Sequence, residues 1–345
     1  MMETQEKKLI PGIVELDQVQ QDLLGMLQQT ETHLSGEQLG SRLGLSRTAV
    51  WKRIERLRAW GYLVEGSSRR GYRLQPGQDL LLAAEITADL PRQWLRGPVR
   101  HFVRLPSTND LAKDLARQGY PEGSVLVAET QSAGRGRLGR AWESPPGTGI
   151  YLSLILRPPL PPTELPKLTL TAAVAVVEAI KEATGLVMGI KWPNDILFAG
   201  KKLGGILTEM ETESDQMSHV ILGVGLNINT LVFPDHLQTV ATSLGGTGRR
   251  YSRLAIIRAF LRTMDVFYGR FLRQEFPAIL DEWRQATVTL GKPVTVKLGA
   301  GEISGLAVDV APDGALLVEK SGGGVEKIIS GEIHQAPCRR GQEAF

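Results

Sequence analysis

Apolar residues near the start of the chain recur at three- and four-residue spacing, and that period predicts helices. In "LDQVQQDLLGMLQQ", Leu16, Val19, Leu23, Leu24 and Leu27 share one stripe. Leu39 and Leu43 then stand four apart, Gly44 breaks the helix, and Ser46 is a natural N-cap for the next one. In that next helix Val50, Ile54 and Leu57 turn inward, which leaves Arg47, Thr48, Trp51, Lys52 and Arg58 outside. Two short helices around a glycine turn predict a helix-turn-helix. "YLVEGSSRRGYRL" follows, with apolar and aromatic arms about a Gly/Ser centre. That is a hairpin pattern, and a hairpin after a helix-turn-helix makes a winged helix.

"LQPGQD" at 74–79 interrupts the periodicity as a Pro/Gly linker. Helical and strand patterns then mix. "STNDLAKDLARQG" runs from a Ser107 cap to Gly119, and "TELPKLTLTAAVAVVEAIKEATG" is a buried helix closed by Gly185. "SVLVAETQ", "IYLSLIL" and "HVILGVGLNIN" are apolar strands, and "ILFAGKKLGGILTEM" has the form of a hairpin. Adjacent hairpins favour an α+β domain around a mixed sheet over a doubly wound parallel one. From about Thr289 the pattern shortens to "PVTVKL", "EISGLAVDV", "ALLVEK" and "EKIISGEI", small strands that predict a β-barrel. The expected architecture is multidomain α+β: residues 1–78 a winged helix, 80–286 a central α+β domain with a mixed sheet, and 288–345 a small barrel with its tail.

Composition changes this picture only locally. A chain of 345 residues with 42% hydrophobic and 22% charged content is globular. A net charge of +3 excludes a nucleic-acid binder that works by bulk charge. Between 46 and 74, however, eight basic residues face two acidic ones. Arg47, Thr48, Trp51 and Lys52 would lie at the start of a recognition helix, and Arg69 and Arg70 on the wing would meet phosphates. The single cysteine, Cys338, excludes an intrachain disulfide and points to a reducing, cytoplasmic setting. The five histidines are scattered, so no metal site is expected. Nor is a membrane span: the most apolar run, "LTLTAAVAVVEAI", is short and carries Glu178.

The richest chemistry lies in "QSAGRGRLGRAW", Gln131 to Trp142. Its glycines spell G-x-G-x-x-G, but Pro145 and Pro146 forbid the helix that a dinucleotide fingerprint requires. Glycines leave the loop unbiased and its arginines repel one another, so the expectation is a mobile segment that orders around an anion. Trp142 would offer a flat face to a base or an apolar ring. "KWPNDI" (191–196) exposes polar side chains at a turn, and "GKKLGGIL" (200–207) sets two lysines beside glycines that let a ligand approach. Ser107 to Asn109 open a helix, where backbone N–H groups suit an anion.

"STND", "QSAGRGRLGRAW", "KWPNDI", "KKLGGIL" and "GVGLNIN", in that order and behind a winged helix, resemble the biotin protein ligases, in particular the bifunctional ligase/repressor type. The resemblance implies a C-terminal barrel of SH3-like form. It also implies a two-step reaction. Biotin and ATP, with Mg²⁺, give biotinyl-5′-AMP and pyrophosphate; a lysine of a biotin carboxyl carrier protein then attacks the adenylate. By this resemblance Ser107, Thr108, Asn109, Gln131, Arg135, Gly136, Arg137 and Lys202 border biotin, and Arg137, Arg140, Trp142, Asn194 and Asn227 surround the adenylate. Arg137 and Lys202 are the candidate catalytic cations, and Asp195 the candidate to orient or accept the carrier lysine's proton. Further implied partners are operator DNA and a second copy of the chain once the adenylate is bound. Leu138 departs from the pattern, since relatives often carry a basic residue there. A DNA-bound biotin sensor without ligase activity and a lipoate ligase remain alternative readings.

Overall fold

The computed structural model describes residues 12–335 apart from 77, 214–215 and 300. Cys338, the "CRRGQEAF" tail and the first residues of the chain lie outside the described residues. The N-terminal part is β1 (Val14–Glu15), α1 (Gln18–Gln28), α2 (Gly36–Leu43), α3 (Arg47–Ala59), β2 (Val64–Ser67) and β3 (Gly71–Leu74). Local chemistry sets the helix ends. Asp17 and Gln20 form a reciprocal capping box on α1, as Ser35 and Gln38 do on α2. Gly44 closes α2 in the left-handed region, and Ser46 caps α3 by accepting from the Ala49 N–H. Val50, Ile54 and Leu57 are fully buried, so the inward face of α3 is the one the periodicity predicts. On α1 the prediction misses by one position: Val19 is half-buried and Gln20 is buried, because Gln20 is held by its own cap.

The central part comprises α4 (Ala83–Thr87), β4 (Val99–Arg104), α5 (Thr108–Arg117), β5 (Val125–Ala128), β6 (Gly149–Leu156), α6 (Leu165–Thr184), β7 (Gly189–Lys191), β8 (Asp195–Phe198), β9 (Lys201–Glu213), β10 (Gln216–Asn227), α7 (Arg253–Leu272) and α8 (Phe276–Ala286). Its sheet runs β1-β4-β5-β6-β10-β9-β8-β7. Only β4 and β5 are parallel, joined through α5, so the sheet is mixed as expected. The alternation along β5 explains the layers. Val125 and Val127 join the core that holds α6, α7 and α8, while Leu126 and Ala128 join the smaller core under α5. A strand buried on both faces must be apolar throughout, as "VLVA" is.

The last part, β11 (Pro293–Leu298), β12 (Gly301–Val310), β13 (Leu316–Glu319), β14 (Val325–Ile328) and β15 (Glu332–Gln335), is an antiparallel five-stranded sheet ordered β14-β13-β12-β11-β15. It is seated on the central part. The Trp192 indole donates to the Gly314 carbonyl at 3.0 Å, and Arg284 pairs with Asp309 at 2.9 Å.

The segment read as a linker is fastened at its far end. Asp79 accepts from the Arg253 and Leu254 N–H groups at the start of α7, at 2.5 and 3.2 Å. The buried Arg253 guanidinium pairs with Asp79 and with Glu129 at 2.7 Å, and donates to the Gly149 carbonyl. Burial alone would raise the Glu129 carboxyl, but Arg253 and His101 outweigh it and hold it down at about 2. The winged helix reaches the same place: β1 pairs with β4 in the central sheet, and Leu80, Leu82 and Val103 complete its core.

Candidate functional site

The arginine-glycine segment folds as a miniature hairpin. Arg135 bridges Ala141, the Gly136 N–H donates to the Arg140 carbonyl at 2.7 Å, and the Trp142 N–H to the Gly134 carbonyl at 2.8 Å. Its tip is a single 3₁₀ turn at Arg137–Gly139, with Leu138 at φ 57 and Gly139 at φ 73. Leu138 is therefore held in a region that a branched side chain disfavours, with its side chain 77% exposed. No helix follows, in keeping with the two prolines. The expected repulsion among arginines is relieved by separate partners. Arg135 pairs with Asp110 at 2.6 Å and Glu209 at 2.9 Å. Arg137 donates to Asn194 Oδ1 at 3.0 Å and more weakly to the Gly331 carbonyl at 3.4 Å. Arg140 pairs with Glu332 of the C-terminal sheet.

Beneath the hairpin lies the start of α5. Ser107 caps it, and Ser107, Thr108 and Asn109 are all buried. The first helical N–H, that of Thr108, is taken by Gln131 Oε1 at 2.8 Å, so this donor serves a side chain. Gln131 Nε2 in turn donates to Ser144. Ser153 Oγ lies 2.8 Å from Thr108 Oγ1 and 2.6 Å from Asn109 Oδ1. Asn109 packs flat on Gly223, where any Cβ would collide with its amide.

The third group comes from the β8–β9 turn. Lys202 Nζ stands 2.5 Å from Asp195 Oδ1 and 5.8 Å from the centre of the Trp142 ring. A register shift between Ile196 and Leu197 brings Lys202 back toward Asp195. On its other side the Lys202 backbone is bonded to Val240 and Thr242. The Trp142 ring rests on Gly225, where a Cβ would lie 2.7 Å from Cε2, so that glycine is a condition of the packing. The buried Trp142 Nε1 has no hydrogen-bond partner among the described residues. Such a donor suits a ligand that brings an acceptor.

The residues picked from sequence thus converge in two clusters: Ser107, Thr108, Asn109, Gln131 and Arg135 at the helix start, and Arg137, Trp142, Asn194, Asp195 and Lys202 beside it. Gly136 supplies a hairpin backbone bond. Asn227 is buried at the end of β10 opposite Gly149, and the Arg140 side chain is turned to the C-terminal sheet; among the described residues neither side chain bonds to another member of these clusters, although the Arg140 N–H donates to the Arg137 carbonyl at 3.2 Å. Sequence reasoning missed Glu209, Asp110, Lys113, Gly225 and the C-terminal Gly331–Glu332. Burial lowers the Arg137 pKa while Asp195 and Glu332 oppose that, and a guanidinium stays charged regardless.

The winged helix presents a different basic surface. Thr48 and Lys52 are exposed and Trp51 is 47% exposed on α3. Arg58, expected outside, is half-buried and donates to the Val64 and Gly66 carbonyls of the wing. Arg53 is bonded to Asp17, Arg73 to Glu65, and Arg47 to Glu37. Among the described residues Lys52, Arg56, Arg69 and Arg70 make no ion pair.

Comparison with known proteins places these features in a class. Residues 101–227 match the biotin/lipoate A/B protein ligase family, 19–73 a helix-turn-helix domain, and 289–334 the biotin protein ligase C-terminal domain. The chain is 40% identical over 319 residues to the bifunctional ligase/repressor BirA of Bacillus subtilis (91% of this chain and 98% of that protein). It is 31% identical over 301 residues to its Escherichia coli counterpart (87% and 92%). The solved biotin protein ligase of Aquifex aeolicus, in complex with biotin and ATP, superposes with TM-score 0.60 at 30% identity, over 69% of this chain and 99% of that one. The chain belongs to the family of bifunctional biotin protein ligase/repressors, the family its motifs resemble. Among the described residues no helix is long and apolar enough to cross a membrane.

Proposed function

We propose that the chain joins biotin to a lysine of a biotin carboxyl carrier protein through biotinyl-5′-AMP, and that this adenylate is the corepressor for binding operator DNA as a homodimer. Working divisions are 1–78, 80–286 and 288–345. The observation that carries the reading is the meeting of Arg137, Asn194, Asp195, Lys202 and Trp142 beside the buried start of α5.

The first step sets a carboxylate against MgATP, so two anions must be brought together. Arg137, whose hydrogen-bond partners are neutral, and Lys202, which shares one carboxylate, supply the positive charge. The metal travels with the triphosphate, as Mg²⁺ usually does. Ser107, Thr108, Asn109, Gln131 and Gly136 form the biotin side; Arg140, Trp142, Asn194 and Asn227 the adenylate side. Asp195 orients the Lys202 ammonium, and takes the carrier lysine's proton once that pair parts. The second step needs no nucleophile from this chain, because the carrier brings its own. Arg47, Thr48, Trp51, Lys52, Arg69 and Arg70 form the operator face, and a single cysteine suits the cytoplasm.

The test is a ligation assay with biotin, MgATP and a carrier domain, lipoate being the competing acid. Biotin-dependent pyrophosphate release and labelled carrier are expected. No pyrophosphate release, or a preference for lipoate, overturns the ligase assignment; operator binding that ignores biotin and ATP overturns the corepressor role.

A further inference from the structure

We propose that Glu209 is a positioning residue for the ligase reaction, and that Arg135 serves as a strap that binds the arginine-glycine hairpin to Glu209 instead of as a ligand for the substrate anions. This inference rests on the ligase reading above. It changes the part that the family resemblance implied for Arg135.

Glu209 sits on β9 opposite Ile221 of β10 and is half-buried. Three donors from two segments meet its carboxylate: Asn109 Nδ2 at 2.8 Å, Lys113 Nζ at 2.5 Å, and Arg135 at 2.9 and 3.1 Å. Asn109 and Lys113 are four apart on α5 and so present one face to it. Burial pushes the Glu209 carboxyl up, but the Lys113 and Asn109 hydrogen bonds and the Arg135 charge outweigh this and hold it below the ordinary carboxylate range.

Charge decides between strap and ligand. Lys113 and Arg135 are balanced by Glu209 and Asp110, so this cluster has no positive surplus. Arg137, two residues on, differs: its recorded acceptors are an amide and a carbonyl, both neutral. An arriving carboxylate or phosphate gains most from Arg137, because at Arg135 it meets a guanidinium whose charge is already shared between two carboxylates on Nη2. Geometry agrees. Glu209 fixes the nitrogen end of the Asn109 amide, Ser153 meets its oxygen end, and Gly223 lies against its face. Through Arg135 the same carboxylate fixes where the hairpin starts, and with it the Gly136 and Arg137 backbone.

The experiment compares wild type with Glu209→Gln, Arg135→Gln, the double variant and Glu209→Asp. The readouts are KM for biotin and kcat in biotin-dependent pyrophosphate release, melting temperature, and the rate of proteolytic cutting within Gly134–Gly139. A strap predicts that each single variant raises KM by about tenfold with kcat within about threefold, since positioning is lost and chemistry is kept. The double variant should be no worse than the worse single one, because both break one interaction. Faster cutting at an unchanged melting temperature, and partial recovery in Glu209→Asp, complete the expected result. A loss in kcat for Arg135→Gln that Glu209→Gln does not share, or additive losses, overturns the proposal. If Glu209→Gln fails to fold, Asp110→Asn with Arg135→Gln poses the same question from the other carboxylate. If wild type itself releases no pyrophosphate, the ligase reading fails first; the strap is then judged by cutting of the hairpin alone, where equal rates in wild type and Arg135→Gln overturn it.

Discussion

The hairpin from Gly134 to Trp142 and the α3–wing surface are both rich in arginine, and on the wing side Arg47, Arg53, Arg58 and Arg73 are ion-paired, but only that surface also leaves basic side chains unpaired. In the hairpin each guanidinium has an assigned partner: Asp110 and Glu209 for Arg135, Asn194 for Arg137, Glu332 for Arg140. On the winged helix Lys52, Arg56, Arg69 and Arg70 stand without ion pairs among the described residues. A partnered arginine defines a geometry; an unpartnered one contributes field and can follow a flexible polyanion such as DNA. The hairpin therefore holds its arginines in fixed geometry, whereas the winged helix adds unpaired cations to fixed ones.

The largest effect is expected where partnering is most complete. Arg253 joins Asp79 to Glu129 in the interior, so Arg253→Met should cost on the order of 3–5 kcal/mol by leaving buried carboxylates unpaired. Thermal or urea unfolding measures this. Because the Glu129 carboxyl is depressed to about 2, its stabilisation is present above the unfolded value of about 4.3 and is lost as pH falls from there toward 2. Glu129→Gln should flatten that acid limb. A Glu129→Gln protein with wild-type acid sensitivity would remove this pair from the paired class.

Next comes Arg137, the hairpin arginine with neutral partners. Arg137→Ala should lower adenylate formation by about 10²–10³-fold, the usual cost of one donor aimed at developing charge. A loss of the same size in Arg140→Ala would erase the distinction drawn within the hairpin. Smaller again is the wing. Arg69→Ala with Arg70→Ala should reduce the salt slope of operator binding by about 2 and leave ligation unchanged. An unaltered slope would mean these cations do not meet phosphate. Smallest is Arg140→Ala in unfolding experiments, since an exposed, screened pair is worth about 0.2–1 kcal/mol.

What the sequence makes legible is what depends on neighbours along the chain. The buried triad of α3, its Ser46 cap and the Gly44 stop follow from spacing and local hydrogen bonding, and all are found. The motif residues were recognisable because glycine, arginine and proline in that order leave few structural options. Glu209 was not: it is one of three alternating glutamates on β9 with Glu211 and Glu213, nothing local sets it apart, and its partner Asn109 is 100 positions away. Arg253 reads as a helix-surface residue at the start of α7, and only the fold brings Asp79 and Glu129 to it. Glu332 and Gly331 meet the hairpin only because the last sheet seats on the central domain. Gly225 fell within a noticed motif, but what it makes room for, the Trp142 ring, comes from another segment.

The pairing of β1 with β4, the shared core of Leu80, Leu82 and Val103, and the bond of Asp79 to the start of α7 turn a supposed tether into a rigid mount. A DNA reader on a loose leash samples many orientations and tolerates many spacings between half-sites. One bolted to its enzyme does not: two such molecules set side by side would hold their reading helices at one separation and one tilt, like the jaws of a calliper. The operator would then have to match the caliper's opening, and inserting half a helical turn between its halves should abolish recognition even with both sequences intact.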